Sequence, residues 1–148
     1  MLYVTRKCTF SASHRLYNPD FDHARNEVVF DKCNNVHGHN YTLEVTVAGL
    51  PDAATGYVID LKILKKIIDR EIISKVDHQH LNDVDMLRGY IPTAENLAVV
   101  FWQVLDRHIE SGSLHALKLF ESENNFVEYN GDPVILHRYK HALDAEAV

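Results

Sequence analysis

The sequence is poor in cysteine and in positive charge, and it has no long apolar run. Only two cysteines occur, Cys8 and Cys33, which argues against a disulfide framework and for a reduced, cytoplasmic protein. Lysine and arginine number 15 against 21 acidic residues, and no basic cluster stands out, so nucleic acid is not expected as a partner. No run approaches the length of a membrane span, and the N-terminus lacks a signal-peptide pattern, so no membrane association is expected.

Internal repeats and low-complexity linkers are also missing. A chain of 148 residues is long enough for one domain with a sizeable core and too short for two comfortable ones. We therefore expect residues 1–148 to form one domain. Residues 137–148 show no clear pattern, and an irregular tail is expected there.

The periodic segments that are present follow a ββααββ order. Alternating apolar and polar residues predict strands over residues 2–14, 37–47, 114–121 and 126–129. Apolar residues at helical spacing predict two helices, one capped by Asp60 and running to about Val76, the other running from Thr93 to about His108. The fold class is therefore α+β, with a four-stranded antiparallel sheet and two helices on one face. The other sheet face is polar, and either solvent or a closed oligomeric barrel can cover it.

Three histidines lie in phase with the apolar rows of the first two strands. His37 and His39 are two residues apart and point the same way on a strand, and His14 ends the row of the first strand. If the two strands pair antiparallel, the three imidazoles converge at one end of one sheet face. Three neutral histidines with a fourth position open is a catalytic zinc arrangement. A single strand-end histidine is usually just hydrogen-bonded, but three in phase predict a metal site.

Three further residues suit proton transfer. Cys33 lies in the long connection before His37, where a nearby metal ion eases ionisation of the thiol to a base or nucleophile. Cys33 could instead be a fourth ligand of a closed structural site, or an inert thiol. Asp77 and His78 follow the first helix directly, and a carboxylate beside an imidazole is a common proton relay. The alternative is a histidine that only complements the helix dipole, since histidines are frequent at helix C-termini.

Acidic residues near the second helix and third strand are candidates for binding. Glu121 is in phase with Leu117 and Leu119, so a carboxylate ends an apolar row. A buried acid of this kind is paired, protonated or available to a ligand. One such ligand is an aminopyrimidinone ring, whose two parallel N–H groups a carboxylate can accept. The alternative is a glutamate that lies in water at the end of the strand. Thr93 and Glu95 either cap the second helix or line a pocket mouth.

These residues together resemble the family of 6-pyruvoyl-tetrahydropterin and 6-carboxy-tetrahydropterin synthases, over about residues 3–129. The matching segments, in order, are Phe-Ser-Ala-Ser-His ending at His14, Lys-Cys-Asn-Asn around Cys33, His-Gly-His-Asn from His37, Asp-His-Gln-His-Leu-Asn from Asp77, Pro-Thr-Ala-Glu-Asn around Thr93, and Glu-Ser-Glu-Asn-Asn from Glu121. Each segment is modest alone, but six in this order and spacing are specific.

The resemblance implies a tunnelling (T-fold) ββααββ architecture that assembles as trimers into barrels, stacked as hexamers with interfacial active sites. It implies 7,8-dihydroneopterin triphosphate as the substrate. By that likeness His14, His37 and His39 hold Zn2+. The cysteine with the Asp-His pair would move protons, Glu121 would anchor the pterin, and Thr93 and Glu95 would lie near it.

The resemblance leaves two reactions open. The carboxy enzyme releases acetaldehyde and triphosphate and serves the queuosine pathway, whereas the pyruvoyl enzyme eliminates triphosphate and rearranges the side chain to a diketone. The three-residue gap between Cys33 and His37 favours the carboxy reaction, although the Lys-Cys-Asn-Asn and Glu-Asn-Asn segments look more like pyruvoyl enzymes. Outside this pair, another zinc lyase or hydrolase on the same fold, or a non-catalytic pterin-binding zinc protein, are the alternatives.

Overall fold

The computed structural model describes residues 1–139, in which a sheet packs against two main helices. The strands are β1 (Leu2–His14), β2 (His37–Gly49), β3 (Gln79–His80), β4 (Ser113–Phe120) and β5 (Phe126–Tyr129). Their order in the sheet is β3-β1-β2-β4-β5. β1 and β2 pair antiparallel along their whole length, with Leu2 opposite Gly49 and His14 opposite His37. β4 and β5 extend the sheet by antiparallel pairing.

The sheet differs in one respect from the predicted four antiparallel strands. β3 is a fifth strand, which pairs parallel with β1 through Gln79 opposite Ala12 and His80 opposite Ser13. The sheet is therefore mixed. Two residues are too few to show an alternating pattern, so sequence periodicity does not detect this strand.

The helices are α1 (His23–Phe30), α2 (Leu61–Ile68), α3 (Ser74–Val76), α4 (Ala94–Asp106) and α5 (Pro133–Leu136). A π-helical segment, Asp69–Ile73, joins α2 to α3, so the predicted first helix is continuous in its course. The predicted N-caps are also present: the Asp60 carboxylate accepts from Lys62 N and the Thr93 hydroxyl accepts from Asn96 N. Short 3-10 turns are formed by Asp31–Asn34, Leu81–Asp83, Asp85–Leu87 and His137–Tyr139.

The core lies between the helices and the apolar rows of the central strands. The alternating apolar residues of β1 and β2 form the buried face of the sheet, and the apolar sides of the helices cover that face. Side chains completely buried in this core include Tyr41, Leu43, Val45, Leu64, Ile68, Leu97, Phe101 and Leu117. This packing extends to the end of β1 and the start of β2, so it fixes the positions of His14, His37 and His39.

The connection between β1 and β2 contains a helix that the sequence analysis did not predict. The Asp22 carboxylate caps α1 by accepting from Arg25 N. The buried Asn26 amide donates to the carbonyls of Asn18, Phe21 and Asp22 and accepts from Asn18 N. Polar contacts, not an apolar stripe, hold this helix, and its valines are exposed, so no helical periodicity is visible.

The C-terminal part of the described chain packs on α4. α5 and the His137–Tyr139 turn follow β5, so the predicted irregular tail begins with a 3-10 turn. Positions 140–148 of that predicted tail lie outside the described residues. Among the helices of residues 1–139, none combines the length and apolar character needed to cross a bilayer.

Candidate functional site

The register of β1 and β2 brings His14, His37 and His39 together at one end of the sheet. His14 is completely buried and the other two are half-buried. Their ring centroids are 4.5 to 5.1 Å apart. One ligand nitrogen from each ring lies within 4.8 Å of the other two, a separation that a single metal ion can bridge.

Two backbone carbonyls fix the tautomers of two of these rings. Nδ1 of His14 lies 2.8 Å from the Pro92 carbonyl, and Nδ1 of His37 lies 2.7 Å from the Asn35 carbonyl. A carbonyl only accepts, so each Nδ1 carries the proton and each neutral ring keeps a lone pair on Nε2. Hydrogen bonds of this kind, from the ring nitrogen that does not bind the metal, orient metal-ligating histidines.

The Nε2 atoms of the three rings have no hydrogen-bond donor opposite them among the described residues. Nε2 of His14 and Nε2 of His37 are 3.0 Å apart, although in these tautomers both are acceptors. Nε2 of His39 is buried and has no hydrogen-bond partner among the described residues. A cation between the three nitrogens would satisfy all of them, so the donor set fits a metal ion.

The protonation states agree with this fit. Burial lowers the pKa of His14 to about 4, against a smaller opposing effect of the hydrogen bond to Pro92. Burial also lowers the pKa of His39, although the nearby Glu121 carboxylate opposes this. Both rings are therefore neutral near pH 7, and neutral imidazole is the form that ligates metals.

Glu121 and Glu95 share a cavity beside the histidines. The cavity has a volume of about 280 Å³, and Ala94, Asn125, Phe126 and Val127 complete its lining. Oε1 of Glu121 lies 3.5 Å from Nε2 of His39, so this ring connects the carboxylate to the candidate metal ligands. Thr93 serves as the N-cap of α4, directly after the Pro92 carbonyl that binds His14. The structure thus brings these three predicted residues to the same end of the sheet.

Asp77 and His78 are held against β1 by its backbone. Oδ1 of Asp77 accepts from Ser11 N at 3.0 Å and also lies 3.0 Å from Nδ1 of His78. The Ser11 N–H is the main cause that lowers the pKa of Asp77, and His78 adds to it. His78 donates its backbone N–H to the Ser11 carbonyl and has a left-handed φ of 59°, which is uncommon outside glycine and costs backbone energy.

A second cavity, of about 440 Å³, connects this dyad with the histidine end of the sheet. His78 and His39 both line it, together with Ser11, Ala12, Ser13, Gly38, Asn40, Gln79 and His80. His80 is fixed in its wall because Nδ1 lies 2.9 Å from the Ser13 hydroxyl. His78 is therefore exposed to a space that also reaches His39, a candidate metal ligand.

Cys33 is exposed on the Asp31–Asn34 turn. Its carbonyl accepts from Leu16 N at 2.9 Å, which ties the turn to the chain just after His14. Among the described residues, no hydrogen bond or ion pair joins the Cys33 thiol to Asp77 or His78. Within one chain, the structure therefore brings Asp77 and His78 together but does not bond the Cys33 thiol to either of them.

Residues 3–132 match the sequence profile of a family described as 6-pyruvoyl tetrahydropterin synthase. The chain belongs to this family.

Three relatives show how far the likeness extends. A protein of Homo sapiens named 6-pyruvoyl tetrahydrobiopterin synthase is 42% identical over 132 residues, covering 87% of this chain and 91% of that protein. A Rickettsia typhi protein named 6-carboxy-5,6,7,8-tetrahydropterin synthase is 29% identical over 147 residues, covering 86% and 99%. The structure of Caenorhabditis elegans 6-pyruvoyl tetrahydropterin synthase superposes with a TM-score of 0.83 at 33% identity, covering 88% and 96%.

In this member of the 6-pyruvoyl tetrahydropterin synthase family, sequence reasoning missed the groups that orient the histidines. They are the carbonyls of Pro92 and Asn35, and the Tyr41 hydroxyl, which lies 3.4 Å from Nδ1 of His14. A backbone carbonyl has no residue-type signature, so no pattern points to the first two. Tyr41 continues the apolar phase of His37 and His39, and that phase is the one signal that places it beneath them.

Proposed function

We propose that the protein is a zinc-dependent pterin synthase that acts on 7,8-dihydroneopterin triphosphate. The observation that carries this proposal is the set of three converging imidazoles beside a cavity lined by two carboxylates. The first part can hold a dication, and the second can bind the N–H edge of a pterin ring. Membership of the 6-pyruvoyl tetrahydropterin synthase family supports both assignments.

His14, His37 and His39 would hold the zinc ion. When bound there, zinc supplies Lewis acidity that polarises the side-chain hydroxyls of the substrate and acidifies the neighbouring C–H bonds. The protein's contribution is to present three bare Nε2 atoms, since the carbonyls of Pro92 and Asn35 hold the Nδ1 protons in two of the rings.

Glu121 would anchor the pterin ring. An ionised carboxylate accepts two parallel N–H bonds, and the aminopyrimidinone edge offers such a pair. Glu95 lines the same cavity and Thr93 lies at the start of the same helix, so both would bound the pterin's position. The Thr93 side-chain oxygen already accepts from Asn96 N, which leaves its hydroxyl proton as the group available to a ligand.

Cys33, Asp77 and His78 would handle protons. Asp77, kept ionised by Ser11 N–H, lies next to Nδ1 of His78 and would hold the proton there, which leaves Nε2 to accept or donate one. The thiolate of Cys33 would take a proton from the substrate side chain.

We also propose that neighbouring chains complete the site in a homo-hexamer built as a dimer of trimers. The sheet has two open edges, at β3 and at β5, and its outer face carries threonines such as Thr5 and Thr46. Closure of such sheets into a barrel removes the open edges. It would also let Cys33 of one chain work with Asp77 and His78 of another.

Of the two reactions, we propose the pyruvoyl-forming one. It eliminates triphosphate and then rearranges the side chain by an internal redox step, with no external oxidant. The higher identity to the human protein than to the Rickettsia typhi protein supports this choice. This choice replaces the preference for the carboxy reaction, which was based on the short gap between Cys33 and His37. That gap keeps the carboxy reaction as the second candidate.

The test of the binding proposal is Glu121→Gln, with Glu123→Gln as the matched control. Glu123 is exposed two residues further on, and neutral glutamine keeps the size of either side chain. Glu121→Gln should weaken binding of a dihydropterin by about tenfold or more, because a charged acceptor is lost, while zinc content stays near one per chain. Equal loss of pterin and zinc, or no loss in pterin affinity, would contradict the anchor role.

A further inference from the structure

Arg15, directly after His14, connects three parts of the proposed site. Its backbone N–H donates to Oδ1 of Asn82 at 2.8 Å, and Nδ2 of Asn82 donates back to the Arg15 carbonyl at 2.8 Å. This reciprocal pair replaces strand pairing at the point where β1 ends. It fastens the segment that follows Asp77 and His78 to the residue that follows a candidate metal ligand.

The Arg15 side chain reaches the segment that carries Cys33. Nε of Arg15 donates to the Asn34 carbonyl at 2.6 Å, and Nη2 donates to Oδ1 of the same residue at 3.1 Å. Asn34 is buried and is the neighbour of Cys33. The guanidinium also lies 4.6 Å from the centroid of the Tyr17 ring, which restricts its plane.

A guanidinium that makes two bonds to one residue fixes the orientation of that residue as well as its distance. One more bond, from Leu16 N to the Cys33 carbonyl, closes the connection between the end of β1 and the turn. In the Asp31–Asn34 turn, the one buried residue is the polar Asn34. The placement of the turn therefore depends on these polar contacts.

We propose that Arg15 is a positioning residue for the pterin synthase reaction, which sets the Cys33 turn against the three histidines of its own chain. This inference rests on the proposed function. Arg15 itself is directed at protein groups through both its backbone and its side chain. It acts on the reaction only by fixing the position of Cys33. Misplacement of a reacting group by about 1 Å can lower the rate roughly a hundredfold.

The test compares Arg15→Lys with Arg25→Lys in the full chain loaded with zinc. Both substitutions keep the positive charge, and Arg25 is a matched control because it also lies over an aromatic ring, Phe21, but on α1. Lysine cannot make both bonds to Asn34 in the fixed geometry of the guanidinium. The readouts are kcat and KM for triphosphate release, zinc content, thermal midpoint, and hydrogen exchange of the Leu16 amide.

We expect Arg15→Lys to lower kcat by about ten- to a hundredfold, with KM and zinc content within about twofold of the unsubstituted chain. The Leu16 amide should exchange faster, because its bond to the Cys33 carbonyl reports on the turn. Arg25→Lys should change none of these. If Arg15→Lys does not fold, Asn34→Ala, which removes only the Nη2 contact, should shift kcat and exchange in the same direction by a smaller factor.

Three outcomes would overturn the inference. One is an unchanged kcat, whether or not the Leu16 amide exchanges faster. Another is a loss of kcat with no change in Leu16 exchange. The third is a loss of activity in proportion to zinc content and thermal midpoint, which would make Arg15 a stabilising residue only. Failure of the proposed function is distinct, since the unsubstituted chain would then release no triphosphate.

Discussion

At the scale of single residues, the candidate metal centre depends on protons being placed away from the site. The carbonyls of Pro92 and Asn35 accept hydrogen bonds from Nδ1–H of His14 and His37, and burial keeps the His14 ring neutral. The sequence predicts which side chains converge, because strand phase is visible in it. It does not predict the tautomers, because main-chain carbonyls set them.

The two thiols should differ sharply in reactivity. Cys8 lies in the core-facing row of β1, where burial raises the pKa of its thiol to about 11, and its Sγ lies 3.6 Å from the Leu43 carbonyl. Cys33 is exposed. We expect iodoacetamide at pH 8 to modify one thiol per native chain, identified as Cys33 by peptide mass spectrometry, and two after unfolding. Cys33→Ala should react only when unfolded; fast modification of Cys8 in the native chain would contradict this burial.

Stability of the metal-free protein should fall in mild acid because of His14. Its folded pKa of about 4 lies below its ordinary value of 6.5, so between these values the unfolded chain binds the extra proton. The unfolding free energy should therefore rise from pH 4 to pH 6.5, with a contribution from this group of at most about 1.4 kcal/mol per pH unit, and level off above.

Urea unfolding at several pH values, with a chelator present, measures this slope. His14→Asn should reduce it, whereas His23→Gln, at an exposed position on α1, should leave it unchanged. An identical slope in His14→Asn would show that His14 is not buried in its neutral form.

At the scale of elements, sequence patterns predict the strands and helices that pack into the shared core. They do not predict the elements that polar contacts hold in place. β1, β2 and α2 bury one periodic face each, so alternation or helical spacing reveals them. α1 depends on its Asp22 cap and the buried Asn26 amide, and β3 on two residues pairing with β1. Their positions follow from tertiary contacts, which local periodicity does not record.

The turn at the end of the described chain should stabilise α4. The Tyr139 hydroxyl donates to Oδ1 of Asn96, its carbonyl accepts from Nε2 of Gln103 at 2.9 Å, and its ring stacks on Tyr90. Tyr139→Phe keeps the ring and removes the hydroxyl bond, so we expect a loss of about 1 kcal/mol in unfolding free energy. Chemical denaturation measures it, with the exposed Tyr57→Phe as the control. Equal stability of the two variants would refute the contribution of the bond.

At the scale of the whole molecule, the proposed reaction needs groups that one chain does not bring together. Among the described residues, the Cys33 thiol has no hydrogen bond to Asp77 or His78. The Cys33 turn is bonded to Leu16, two residues after His14, and His78 lines a cavity that His39 also lines. The proposed hexamer resolves this by combining chains. The sequence could suggest this assembly only through family resemblance, because a polar outer sheet face is equally suited to solvent.

Mixed oligomers should recover activity from two inactive variants. Cys33→Ala and Asp77→Ala are each expected to be nearly inactive alone. If Cys33 of one chain serves the Asp77 of a neighbour, equimolar chains reassembled at random should regain about one quarter of the unsubstituted activity, since half the chains supply each intact group. The readout is triphosphate release after co-refolding, with light scattering to give the oligomer size. No recovery in a correctly sized hexamer would place both groups in the same chain's site.

The central claim is the reaction itself, and product analysis with 7,8-dihydroneopterin triphosphate and the zinc-loaded protein tests it most directly. Mass spectrometry follows the pterin, and coupled assays follow triphosphate and acetaldehyde. We predict triphosphate release and a pyruvoyl-pterin without acetaldehyde, and loss of turnover after chelation. Acetaldehyde with a carboxy-pterin would move the assignment to the second candidate reaction. An unconsumed substrate would contradict the account, because three histidines and two carboxylates would then serve binding alone.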